Sequence, residues 1–126
     1  MVGMPVLLNL ARRPAVIIGG GDEAAALASA LVAQGAIVTV VAVAASLPLH
    51  ALAASDRIAL LPRSYVRGDL AGAVLASCFE GGETAYAVAS EAAAERCLVH
   101  IAEHPELSGF RFAELYAPSS FTEEPA

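Results

Sequence analysis

The spacing of apolar and polar positions changes several times along the chain, and each change marks a new element. Ala15-Val16-Ile17-Ile18 is a short apolar run that ends in Gly19-Gly20-Gly21, which predicts a buried strand entering a tight turn. From Asp22 the spacing becomes helical, with Ala24, Leu27, Ala28 and Leu31 on one face at i, i+3, i+4 and i+7. Gln34-Gly35 ends that helix. Ile37-Val38-Thr39-Val40-Val41 follows, rich in β-branched residues whose stiff side chains suit a pleated, buried strand. Together these pieces predict a βαβ unit. Residues 57–61 predict a strand closed by Pro62, and residues 73–78 another that stops before Gly81-Gly82. Residues 83–96 are alanine-rich and favour a helix, and residues 97–102 form an apolar strand. Residues 110–116, with Phe110 and Phe112 on one face, predict a last strand. Such alternation implies an α/β fold: one domain, a largely parallel sheet, and helices on both faces. No repeat or linker divides the chain, so residues 1–117 are expected to form the domain and residues 118–126, rich in Pro, Ser and Glu, a flexible tail.

Composition sharpens this picture in three ways. Hydrophobic residues make up 57% of the 126 residues and charged ones 16%, against roughly 25% charged in an average soluble domain. Part of the surface must therefore be apolar or covered. The helix from Asp22 carries Ala25, Ala26, Ser29, Ala30 and Ala33 where charge is usual, which predicts a homo-oligomer or a partner protein seated there or on the edge of residues 110–116. Residues 24–55 hold no Asp, Glu, Lys or Arg, a run long enough to suggest a membrane span. Gly35, the β-branched stretch, and the interruption at Pro48 and His50 argue instead for a helix and a buried strand, and so for no membrane. The net charge is −6, with no lysine and only scattered arginines, so there is no basic stripe for nucleic acid. Cys78 and Cys97 lie in apolar runs rather than at metal-ligand spacing, and the histidines show no ligand pattern, so no metal is assigned. Buried free thiols and the lack of a signal-peptide pattern at the amino terminus point to the cytoplasm.

Gly19-Gly20-Gly21-Asp22-Glu23-Ala24 fits G-x-G-x-x-A between a predicted strand and a predicted helix. In that pattern Gly19 permits the turn, Gly21 lets the backbone approach a pyrophosphate, and Ala24 packs helix on strand. Free N–H groups and the helix dipole would receive the phosphates. The plain alternative is a glycine turn that closes a βα unit and holds no ligand. Asp22 and Glu23 bring acidic side chains into the first helical turn, where Asp22 is expected to act as a cap rather than a ligand. The second strand ends Val40-Val41-Ala42-Val43, with no acid for a ribose 2′-OH and no arginine for a 2′-phosphate, so NAD and NADP both stay open.

Three segments together resemble one family. Met4-Pro5-Val6-Leu7-Leu8-Asn9-Leu10 is similar to the proline-plus-apolar opening of the amino-terminal domain of siroheme synthases, the precorrin-2 dehydrogenase/sirohydrochlorin ferrochelatase family. Val16-Ile17-Ile18-Gly19-Gly20-Gly21-Asp22 resembles its VVGGGD turn, and residues 99–110, with Pro105-Glu106 and Phe110, its N-V-V-D-D-P-E-x-x-x-F segment. The resemblance covers nearly the whole chain. It implies a Rossmann-type domain that binds NAD, with NADP not excluded, and oxidises the tetrapyrrole precorrin-2, some members also inserting iron. Glu103 falls at the acid/base aspartate of N-V-V-D, one methylene longer, and His100 replaces its asparagine. The family's A-T-D-D segment on the nicotinamide side is Cys78-Phe79-Glu80-Gly81 here, a bulky ring replacing a small hydroxyl. The implied cofactor positions are Gly19, Gly20, Gly21, Asp22, Glu23, Ala42, Phe79 and Glu80. Family members continue into a dimerisation segment and a helical domain that closes the tetrapyrrole cleft, whereas this sequence stops at Ala126. A precorrin-2 dehydrogenase-like NAD-binding domain, of full, reduced or no activity, is the leading expectation. A non-catalytic nucleotide- or partner-binding module derived from that family is the alternative, and a remnant with an empty glycine turn the third.

Overall fold

In the computed structural model, which describes residues 3–113, the elements run β1 (Pro14–Ile18), α1 (Asp22–Ala33), β2 (Ile37–Val41), α2 (Leu47–Ala54), β3 (Ile58–Leu61), β4 (Leu75–Cys78), α3 (Gly82–Glu95) and β5 (Leu98–Ile101), followed by a 3-10 turn at Pro105–Leu107. All strand pairs are parallel, in the order β3-β2-β1-β4-β5. Alternation along β1 sorts the core. Ile17 faces α1 and α2 with Val38, Val40, Leu27 and Leu49. Val16 and Ile18 face the opposite layer, with Val88 and Ala92 of α3, Val99 and Ile101. The expected parallel sheet with helices on both faces is therefore present. β2 keeps the expected bounds and β1 gains Pro14, whereas β3, β4 and β5 are a residue or two shorter than the sequence pattern suggested, because ladder pairing ends before the apolar run does.

Two expectations need correction. Pro48 does not interrupt a segment; it sits in the first turn of α2, where a missing N–H costs no hydrogen bond and the fixed φ suits the helix. Leu49 is then fully buried against the core. The last strand is also absent over its described part. Residues 110–113 are irregular, and Phe110 and Phe112 pack edge to face at 4.9 Å over the α1 side of the sheet. Residues 114–116, the boundary at 117 and the tail at 118–126 lie outside the described residues.

No helix joins β3 to β4. Residues 62–74 cross the α3 face as a loop, pinned by a buried carboxylate on α3. Glu91, 3% exposed, accepts bonds from Tyr65 Oη at 2.5 Å, Gly68 N at 2.9 Å and Leu70 N at 3.3 Å. Arg63 and Asp69 close the same loop with two bonds at 2.8 and 2.9 Å. Leu70 is thereby held fully buried where a helix would otherwise pack. At the far edge, Gly109 N donates to Val99 O, and the Ser108 hydroxyl meets both Ile101 N and Ile101 O. Residues 24–55 divide among α1, β2 and α2, and among the described residues no helix is long and apolar enough to cross a membrane.

Candidate functional site

The chain runs from β1 outward to β3, then crosses back to β4 and β5 on the other side of β1. Adjacent loops leave β1 and β4 in opposite directions, and the crevice so formed at the carboxyl ends of the strands is where open α/β sheets bind ligands. The glycine turn follows β1 there. Phe79, Glu80 and Gly81 follow β4, Ala42 follows β2, and Glu103 follows β5. Every cofactor and acid/base position implied by the resemblance therefore lies at the carboxyl ends of the strands.

The three glycines have three different physical reasons. Gly19 has φ +126°, a conformation L residues rarely adopt, and a Cβ on it would stand 3.1 Å from Phe79 Cβ. Gly20 has no room for a side chain: a Cβ there would overlap the Ala44 carbonyl oxygen and lie 2.9 Å from Ala42 Cβ and Ala45 Cα. The loop after β2 folds onto this glycine, with Ser46 N donating to Gly20 O at 2.8 Å. Gly21 is different. Its φ of −85° is ordinary, and a Cβ there would meet nothing within 4 Å. Nothing in the fold requires a glycine at 21; the free space faces outward from the turn.

Gly21, not Asp22, occupies the amino-terminal cap of α1, and no side chain caps that helix. Asp22 is thus the first helical residue, correcting its expected capping role. The first-turn N–H groups keep their capacity for an outside acceptor. Asp22 and Glu23 are both exposed, so water screens their charge. Buried Ala24 packs against the core as expected. Ala42 is buried, and the exposed side chains beside it are Val43 and Leu47, both apolar. Cations are absent from this stretch, residues 42–47.

On the β4 side, Phe79 and Glu80 are half-buried and Glu103 is exposed. The Glu103 carboxylate lies over Gly81, the cap of α3, where a Cβ would stand 2.5 Å from its Oε1. Burial, reinforced by the charges of Glu80 and Glu103, pushes the Cys78 thiol up to about 11, although its bond to Glu80 O works against this. His104 bonds to Glu106 at 3.0 Å and leans on Tyr86, so it is a partnered loop residue rather than a companion of Glu103. His50 is exposed on α2. Among the described residues no three His, Cys, Asp or Glu side chains converge as a metal set.

The sequence marked His100 as a replacement in the motif but revealed neither its bond nor the second group found here. Ser77 and His100, register partners on β4 and β5, bond at 2.7 Å in the interior. Glu91 is the other. Each is a polar residue at a position the apolar pattern marks as buried, and that mismatch was the available signal.

A parallel sheet with a glycine turn at an uncapped helix amino terminus, set at the switch point, defines a nucleotide-binding class of fold. Comparison with known proteins narrows the class. Residues 6–114 match a family model described as putative NAD(P)-binding. Siroheme synthase from Thioalkalivibrio sulfidiphilus is 37% identical over 107 residues, covering 84% of this chain and 22% of that protein. Siroheme synthase from Methylobacillus flagellatus is 34% identical over 111 residues, covering 87% of this chain and 24% of that protein. A solved structure described as SirC, precorrin-2 dehydrogenase, superposes with a TM-score of 0.65 at 19% identity, covering 88% of this chain and 52% of that one, a likeness of fold. The chain belongs to this NAD(P)-binding family, that of the siroheme synthase amino-terminal domain. It spans about a quarter of the length of the siroheme synthases it matches.

Proposed function

We propose that the chain is the NAD(H)-binding module of a precorrin-2 dehydrogenase, working on a tetrapyrrole in the cytoplasm, where its two buried free thiols stay reduced. Gly21 carries the argument: a glycine with ordinary φ and open space before it makes sense where a pyrophosphate comes close to the backbone. Gly19 and Gly20 shape that turn, and the first-turn amides at Asp22 and Glu23 face the phosphates. Ala42, with Val43 and Leu47 beside it, offers the adenosine half an apolar seat. A 2′-phosphate would meet no cation there, which favours NAD over NADP. Phe79 and Glu80 border the nicotinamide half.

Bound NAD+ would supply the hydride acceptor. Removing a hydride from the substrate leaves a proton to be taken up, and Glu103, on the same edge of the sheet and open to solvent, is the carboxylate placed to take it. The Glu103 substitution for the family's aspartate and the bulk of Phe79 favour a second reading, in which the module binds nucleotide without turning over substrate. Two measurements test both. Calorimetry with NAD(H) up to millimolar concentration should give binding; none would end either reading. Turnover of precorrin-2 should be seen and should fall about 10²-fold or more in Glu103→Gln, which keeps the shape but cannot accept the proton. Binding without turnover leaves the second reading, and unchanged turnover in Glu103→Gln removes Glu103 from the chemistry.

A further inference from the structure

One polar pair beneath the site, a buried serine and a half-buried histidine, has no part in the function proposed above. Ser77 is fully buried on β4, and its hydroxyl lies 2.7 Å from His100 Nδ1 on β5. The His100 ring meets Phe79 at 5.8 Å and 69°, Phe112 at 5.0 Å and 76°, and Phe110 at 6.2 Å. Phe79 in turn abuts Gly19 of the glycine turn. A continuous line of contact thus runs from the interior hydroxyl through the imidazole and the phenyl ring to the turn. With the pyrophosphate on α1 and the adenosine over β2, the remaining half of a dinucleotide extends over β4, where Phe79 stands.

We infer that Ser77 and His100 are positioning residues that hold the Phe79 ring as a floor for the nicotinamide half of the cofactor, and that they do so while His100 is neutral. The inference rests on the dinucleotide-binding function proposed above. A hydroxyl buried this deeply must give its proton to an acceptor, and Nδ1 is the acceptor it meets, which leaves the ring's own proton on Nε2. A second proton would go to Nδ1. Ser77 would then have to turn its hydrogen away from its partner, and a charge would stand among three phenyl rings. Burial accordingly holds His100 below its ordinary value of 6.5. Of the charged groups on the neighbouring elements, among them Asp22 and Glu23 on α1, Glu80 after β4, Glu103 after β5 and Arg111 in the covering segment, Glu23 is the one whose charge bears on His100, and it pulls upward without overcoming burial. The sign follows: a base depressed in the folded state stabilises that state above pH 6.5 and loses the contribution as pH falls toward the depressed value.

ADP-ribose separates this role from a merely structural one, because it shares every part of NAD+ except the nicotinamide and has no phosphate titrating in the range. In the full chain near pH 8, His100→Ala should weaken NAD+ binding about tenfold while leaving ADP-ribose within about twofold. His100→Phe keeps a ring in place should the alanine variant fail to fold. Lowering the pH from about 8 until the nitrogen-15 shift shows His100 protonated should reduce the NAD+ to ADP-ribose affinity ratio in the wild type and not in His100→Asn. Nitrogen-15 shifts of His100 in the free chain should report the Nε2–H tautomer. A ratio unmoved by substitution and pH, or an Nδ1–H tautomer, overturns the positioning role alone. Failure to bind either compound overturns the dinucleotide-binding function itself, and this inference with it.

Discussion

Alanine placed in turn at Gly19, Gly20 and Gly21 should separate what the glycine run does for the fold from what it does for a ligand. At Gly20 the new methyl group would overlap the Ala44 carbonyl oxygen and crowd Ala42 and Ala45, all within a loop that is itself hydrogen-bonded back to Gly20. Backbone cannot swing aside like the end of a side chain, so this variant should lose about 2–3 kcal/mol. At Gly19 the strain of φ +126° is the main penalty, about 1–3 kcal/mol, with the 3.1 Å approach to Phe79 added to it. At Gly21 two small terms oppose each other. Alanine is a poorer helix cap than glycine by about 0.5–1 kcal/mol, and it removes unfolded-chain entropy worth about 0.4–1 kcal/mol. Stability should therefore change by less than about 0.5 kcal/mol, while NAD(H) affinity drops, and Gly21→Val should abolish binding. Urea midpoints and calorimetric titration on the same samples read the two quantities separately. The reasoning fails if Gly21→Ala is as destabilising as Gly20→Ala, or if it binds NAD(H) as the wild type does.

Three further outcomes follow from the packing. Glu91→Ala strands two amides and a phenol beneath the crossover loop and should cost about 3 kcal/mol in urea unfolding, against about 1 kcal/mol for Tyr65→Phe; equal effects would show that the loop does not depend on the carboxylate. Burial pushes both thiols up to about 11, so iodoacetamide at pH 8 should alkylate native Cys78 and Cys97 roughly 10²-fold more slowly than the unfolded chain. Their contribution to stability holds below about pH 9 and is lost as pH rises toward 11; comparable rates for folded and unfolded protein would contradict this. The outer side of α1 presents Ala26, Ser29 and Ala33 to solvent, Ala25 being buried after all. We expect association through this side, so light scattering should find a species larger than one chain at about 100 µM that Ala26→Glu dissociates; a monomer unaffected by the substitution would refute it.

How much of this could be read from the sequence depended on the kind of force at work. β1, α1 and β2 were legible because their burial is one-sided or complete and so leaves a period of 3.6 or a β-branched run. α2 was not, since Pro48 carries the same letter whether it starts a helix or breaks one, and only its place in the first turn decides. The crossover at residues 62–74 shows no period because Glu91, far away in sequence, supplies the hydrogen bonds that a helix would have made internally. At the site, the motif gave the positions of Gly19, Gly20 and Gly21 but not their separate reasons. Those depend on Phe79 and on the loop after β2, contacts across the sheet that no local pattern contains.

The Ser108 hydroxyl and the Gly109 amide take the places along β5 that a sixth strand would fill, satisfying Ile101 N, Ile101 O and Val99 O from a loop only a few residues on. A strand offered from outside finds those ladder positions occupied. β3, the other margin, has no such plug over Ile58–Leu61 among the described residues beyond the turn at Arg63. Among the described residues β3 is the open margin, so a continuous sheet spanning two molecules would grow from β3 and close on itself as a pair rather than lengthen into a fibre.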